Sequence, residues 1–304
     1  MNDTNRMSEQ ATSRAWQLRW DFGSAEVQAL GGMLGPVSLR LDDERELDIM
    51  HVAPWASTTG AAALPGLLRR MRGEWPCVPF GRTDDPGPLP AGWQRTEANG
   101  DGWMHGYAAN HRWTCIEATP HRVHLAIDYP ADSAIERIER VIAVDPHAAA
   151  LDIRLSIWSR RPSRMPVGLH PTFRIPPTPG RVKVVLGEHA GIHSYPSAAP
   201  GAVSRLLPDT RSPSLSAMAG IDGALDLGQL PLTMPTEELM QVRALAPASE
   251  APPFALHYLD YDACVGMWWD TAQLPDLMLW ISNGGRINYP WTVSYTHLTL
   301  PTKA

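Results

Sequence analysis

The chain has 304 residues, 44% of them hydrophobic and 19% charged, with a formal charge of −6. That balance fits a globular protein with an ample core and excludes a disordered chain. The acidic charge argues against nucleic acid as a partner, because phosphate binding needs a basic face, and the densest basic run, Arg69-Arg70-Met71-Arg72, gives way at once to Gly73-Glu74.

The polar N-terminus, Met1 to Arg14, lacks the apolar stretch of a secretion signal and reads as a flexible tail over residues 1–15. Val37-Ser38-Leu39-Arg40-Leu41 alternates as a strand does, and Ala61 to Met71 is the best place for a short helix or turn. Thr83 to Gly92 reads as a loop. Val123, Leu125, Ile127 and Tyr129 share one strand face opposite Arg122, His124 and Asp128. Leu151, Ile153, Leu155 and Ile157 share a face in the same way. Arg181–Val185 and Leu277–Ile281 are further strands, and 195–220 and 246–253 are loops. The 29 prolines and 24 glycines fall largely between these runs, where they punctuate turns. The predicted class is all-β, an antiparallel β-sandwich with long loops.

No stretch approaches the roughly 20 apolar residues of a membrane-spanning helix. Cys77, Cys115 and Cys264 are too few and too scattered for a disulfide framework or a C-x-x-C metal site, which sets a reduced, cytoplasmic environment as the expectation. There is no G-x-G-x-x-G or Walker pattern around Gly284-Gly285, and His121 and His124 point to opposite faces of a strand. The sequence therefore carries no cofactor motif and no metal site.

Three segments concentrate chemistry. Arg69 to Gly81 packs Arg72, Trp75, Pro76 and Pro79 into one loop that suits a fixed guanidinium facing hydroxyl groups, and equally suits a surface Arg beside a structural Trp. Trp103 to Trp113 holds His105-Gly106 among aromatics. Gly168-Leu169-His170-Pro171-Thr172-Phe173 sets His170 before a proline, hence extended and at a strand end. Twelve tryptophans against four phenylalanines suit stacking on sugar rings, although any single Trp is more often core.

Taken in order, Ala29-Leu30-Gly31-Gly32-Met33-Leu34, Ala53-Pro54-Trp55, Val78-Pro79-Phe80-Gly81, His105-Gly106 with Trp113, His170-Pro171-Thr172-Phe173, Leu279-Trp280-Ile281-Ser282 and Tyr289-Pro290-Trp291 resemble the aldose 1-epimerase (galactose mutarotase-like) superfamily from about Trp16 to Trp291. Thr172 departs from that family's usual Tyr. The resemblance implies a large antiparallel supersandwich and a cofactor-free enzyme that interconverts the α and β anomers of a free aldose. His170 would be the ring-oxygen acid, and His105 would hydrogen-bond the ring oxygen or a neighbouring hydroxyl. Arg72 would anchor hydroxyls, and Trp75 or Trp113 would stack on the sugar.

The family's catalytic Glu follows the segment matched by Tyr289-Pro290-Trp291, yet no Glu occurs after Glu250. Val293 to Thr302 resembles a translated sequencing-library adapter. The expectation is a single domain over 16–292, truncated at its C-terminus, followed by a non-native tail over 293–304. Partners are a small-molecule sugar, with no nucleic acid and no membrane, in a monomer or homodimer. Two rivals remain open: a non-catalytic carbohydrate-binding or regulatory sandwich, and a hexose-phosphate mutarotase using Arg69, Arg70 and Arg174.

Overall fold

Alternation of apolar and polar residues dominates the strands, and its consequences are visible in a computed structural model that describes residues 15–83, 88–91, 93, 101–198, 201–247, 250–286, 288–291, 297–299 and 302–303. Residues 1–14 of the expected N-terminal tail and most of the expected non-native tail lie outside the described residues, and Ala15 opens a strand. The protein is nearly all β. Its contacts divide it into two compact units, residues 1–85 with 96–169, and residues 86–95 with 170–304.

In the first unit, β1 (Ala15–Trp20), β2 (Gly23–Gln28), β3 (Leu34–Arg40) and β4 (Glu46–Asp48) form one antiparallel sheet in chain order. After β5 (Pro76–Cys77) and the short helix α1 (Gly106–Asn110), a second sheet runs β6 (Thr114–Ala118), β7 (Arg122–Asp128), β8 (Ile135–Val144) and β9 (Leu151–Ser159). The last strand of the unit, β10 (Val167–Leu169), pairs with β5. Val123, Leu125 and Ile127 stand opposite Ile142, Arg140 and Ile138 in the β7–β8 register, and all six are buried. Fully burying each such aliphatic side chain contributes about 1.5–3 kcal/mol. The two sheets meet through β1, where Arg19 N donates to Pro120 O (2.7 Å) and Trp20 Nε1 to Ala148 O (3.0 Å). The stretch expected as a short helix or turn forms 3-10 turns at Thr59–Ala63 and Gly66–Arg69.

The strands of the second unit all follow His170. They include β11 (Thr172–Arg174), β12 (Val182–Leu186), β13 (His189–Ser194), β14 (Arg211–Ser212), the hairpin β15 (Met218–Gly220) and β16 (Gly223–Leu225), β17 (Gln229–Leu230), β18 (Thr236–Ala244), β19 (Phe254–Tyr258), β20 (Ala263–Met267), β21 (Asp276–Asn283) and β22 (His297–Thr299). One sheet runs β14-β13-β18-β21, with β22 pairing both β21 and β11; the other runs β17-β12-β19-β20. Among the described residues, no helix is long and apolar enough to cross a membrane.

Candidate functional site

In the first unit, the segments holding Arg72 and His105 are brought together. Tyr129 ties them, because its hydroxyl donates to Val78 O (2.6 Å) and accepts from Ala108 N (3.2 Å). Burial pushes that phenol far above its ordinary pKa, so it stays a neutral donor. His105 N donates to Gly81 O (2.8 Å), and Val78 bridges Gly106. His105 takes a left-handed conformation (φ 62°) and Gly106 another (φ 84°). A Cβ on Gly106 would lie 2.3 Å from Val78 O, so only glycine fits that turn. The half-buried imidazole then packs edge-on to Phe80 (5.3 Å) and Trp75 (6.4 Å).

Nearby, Asp101 accepts from Trp103 N (3.0 Å) and Tyr107 N (2.6 Å), fixing the turn before α1. Burial raises its pKa, and those two donors pull it back. His111 stacks on Tyr107 at 3.7 Å and bonds its carbonyl through Nδ1 (2.9 Å).

Arg72 is buried, its Nε donating to Arg70 O (3.1 Å) and its Nη1 3.3 Å from Glu26 Oε1. Burial lowers its pKa while Glu26 raises it. Trp75 is 2% exposed. Trp113 is also buried, donating Nε1 to Ala108 O (2.9 Å) and lying against Gly32. Both indoles are packed as core and present little open face for stacking. Beneath the loop, Glu74 and Arg140 form a buried ion pair, with Nη1 3.1 Å from Oε1 and a second contact between Nη2 and Oε2. Sequence reasoning missed this pair.

In the second unit, His170 lies just before β11, the strand-end position that the proline predicted, and its side chain is buried. Two aromatic anchors hold the segment. Phe173 stacks on Phe254 (6.0 Å), and Tyr258 donates its hydroxyl to Arg174 O (2.9 Å). Asp226 is exposed and accepts from Gly228 N (2.7 Å), a turn contact.

A second constellation in this unit escaped the sequence reading. Glu237 on β18 is buried and accepts from Trp280 Nε1 and Ser282 Oγ on β21, both at 2.8 Å. Arg286 lies over the rings of Trp280 (4.3 Å) and Trp291 (4.4 Å). The signal available in the sequence was two tryptophans flanking a lone arginine; the carboxylate comes from 43 residues earlier than Trp280. Among the described residues, no group of three His, Cys, Asp or Glu side chains is placed to hold a metal ion.

No protein-family model matches the chain, and no curated protein matches it. Solved structures do. A galactose mutarotase-like protein from Lactobacillus casei superposes with a TM-score of 0.58 at 13% identity, covering 95% of this chain and 87% of that one. A galactose mutarotase related enzyme from Lactobacillus acidophilus gives 0.57 at 12%, covering 95% and 85%. The aldose epimerase homologue from C. elegans gives 0.56 at 8%, covering 95% and 89%. The fold is galactose mutarotase-like. The expected all-β class therefore holds.

Proposed function

We propose that this protein is an aldose 1-epimerase-like isomerase acting on a free aldose without a cofactor, through His105 and His170. The observation that carries the reading is the His105-Gly106 turn, which sets an imidazole against Phe80 and Trp75 in a galactose mutarotase-like fold. Similarity to the structures named above supports the same reading.

In the proposed reaction a carboxylate removes the proton from the anomeric hydroxyl, and the bond between C1 and the ring oxygen breaks. The ring oxygen takes a proton from the His170 imidazolium, leaving an open-chain aldehyde, a neutral imidazole and a carboxylic acid. After rotation about C1–C2, each proton returns by the reverse path and the other anomer closes. No atom or electron is gained or lost, and histidine suits the role because its ordinary pKa lies near 6.5. His105 hydrogen-bonds the ring oxygen or a neighbouring hydroxyl, and Arg72 anchors hydroxyls.

The test is polarimetry with the full chain. Freshly dissolved α-D-glucose or α-D-galactose should mutarotate faster with protein than without. No acceleration on either sugar overturns the proposal, and a clear preference for hexose 6-phosphates would replace the free aldose as substrate.

A further inference from the structure

The cluster around Glu237 is built to hold a guanidinium in one orientation. β18 and β21 pair with Glu237 opposite Ser282. The loop leaving β21 then crosses back so tightly that a Cβ on Gly285 would lie 2.4 Å from the Thr236 carbonyl carbon and 2.7 Å from Glu237 N. Only glycine allows that approach. Gly285 N–H thereby reaches the Glu237 carboxylate, as do Trp280 and Ser282. Arg286 follows directly. Its guanidinium carbon sits 4.3 and 4.4 Å from two indole centroids whose rings meet at 67°, while its Nε lies 3.8 Å from Glu237 Oε2. One buried carboxylate thus orients both Trp280 and Arg286. The arginine side chain remains 20% exposed, so solvent reaches it.

We propose that the Trp280–Arg286–Trp291 corner is a binding subsite for an uncharged sugar, with an indole taking the C–H face of the ring and Arg286 donating to adjacent hydroxyls. The proposal deepens the mutarotase reading and rests on it for the ligand class. A pair of indoles meeting at 67° beside a fixed donor fork suits a ligand that has an apolar face and an acceptor-rich edge.

Glu237 stands behind Arg286, so an incoming anion feels both. With the anion about 4 Å from the guanidinium carbon and about 8 Å from the carboxylate, the repulsion removes about half the attraction, because Coulomb energy falls as 1/r. Neutral hydroxyls need only the N–H dipoles and forfeit nothing. The pair therefore favours uncharged over phosphorylated sugars.

The experiment titrates the full chain with D-galactose and with D-glucose 6-phosphate, following tryptophan fluorescence. Arg286→Gln should weaken galactose binding by about tenfold, the usual worth of a charge-assisted hydrogen bond. Glu237→Gln, which removes the balancing charge, should shift the ratio of the two affinities toward the phosphate by at least threefold. Galactose affinity unchanged in Arg286→Gln overturns the subsite. So does an unchanged affinity ratio in a folded Glu237→Gln; should that variant misfold, the Arg286→Gln result decides alone. Failure here is separable from failure of the enzyme reading. Arg286-dependent binding without mutarotation would sink only the enzyme, and mutarotation with an unchanged KM in Arg286→Gln would sink only the subsite.

Discussion

Arg140 is fully buried on β8 between Ile138 and Ile142, with Glu74 as its ionic partner. Removing one member leaves the other charge in the core. Arg140→Met strands a carboxylate that is 2% exposed, and Glu74→Met strands a guanidinium that is 0% exposed. Breaking such a pair costs about 3–5 kcal/mol, whereas replacing both members with apolar side chains of similar volume is close to neutral or stabilising. Arg140 Nε has no hydrogen-bond partner among the described residues, so an apolar replacement loses nothing there. Each single variant should therefore lose about 3–5 kcal/mol in urea unfolding followed by tryptophan fluorescence, and the Glu74→Met/Arg140→Met double variant should recover most of it. Single variants within about 1 kcal/mol of wild type, or a double variant as unstable as the two losses added, would refute the reasoning.

Three further outcomes are expected. Cys77 is fully buried, and burial, then the Glu74 charge, push its thiol pKa well up; a thiol reagent should label Cys264 and Cys115 in the native protein and Cys77 only after unfolding. Rapid native labelling of all three would contradict this. Gly106→Ala should lower stability by at least about 1–3 kcal/mol, since it adds a strained φ and a clash with Val78 O; a variant as stable as wild type in chemical unfolding would show the turn to be more adaptable than described. Glu237 has a pKa raised from 4.5, chiefly by burial, with Ser282, Arg286 and Trp280 opposing. A carboxyl whose folded pKa exceeds its unfolded one contributes full stability below 4.5 and loses it as pH rises through the folded value. Relative to Glu237→Gln, wild type should therefore lose stability as pH rises above 4.5, and a constant or oppositely sloped difference would sink the assignment.

Regular alternation made some strands legible. Val123 to Ile127 and Leu151 to Ile157 appear within β7 and β9 because Val123, Leu125 and Ile127, and Leu151, Ile153, Leu155 and Ile157, alternate along one face of each strand. β8 was hidden by Ile135-Glu136-Arg137-Ile138-Glu139-Arg140, a three-residue rhythm that fits neither strand nor helix and that places an arginine in the core. β18 was hidden for a related reason. Glu237 and Glu238 are adjacent, hence on opposite faces, yet both are buried; Glu238 accepts from Arg205 N (2.6 Å) and Ser204 Oγ (2.7 Å). Buried charge depends on partners distant in sequence, which periodicity does not report. The helix Gly106–Asn110 is too short for any periodic signature. At the candidate site, a histidine before glycine and a histidine before proline could be read as backbone features, whereas the burial of Trp75, Trp113 and Arg72 follows from packing that the chain order alone does not encode.

The most direct test of the central claim is the mutarotation rate of α-D-galactose with the full chain and with its His170→Ala variant. A general acid contributes about 10²–10⁴-fold, so the variant should lose that much of the catalysed rate while binding sugar as before. A variant that keeps the wild-type rate would remove His170 from the chemistry and contradict the account.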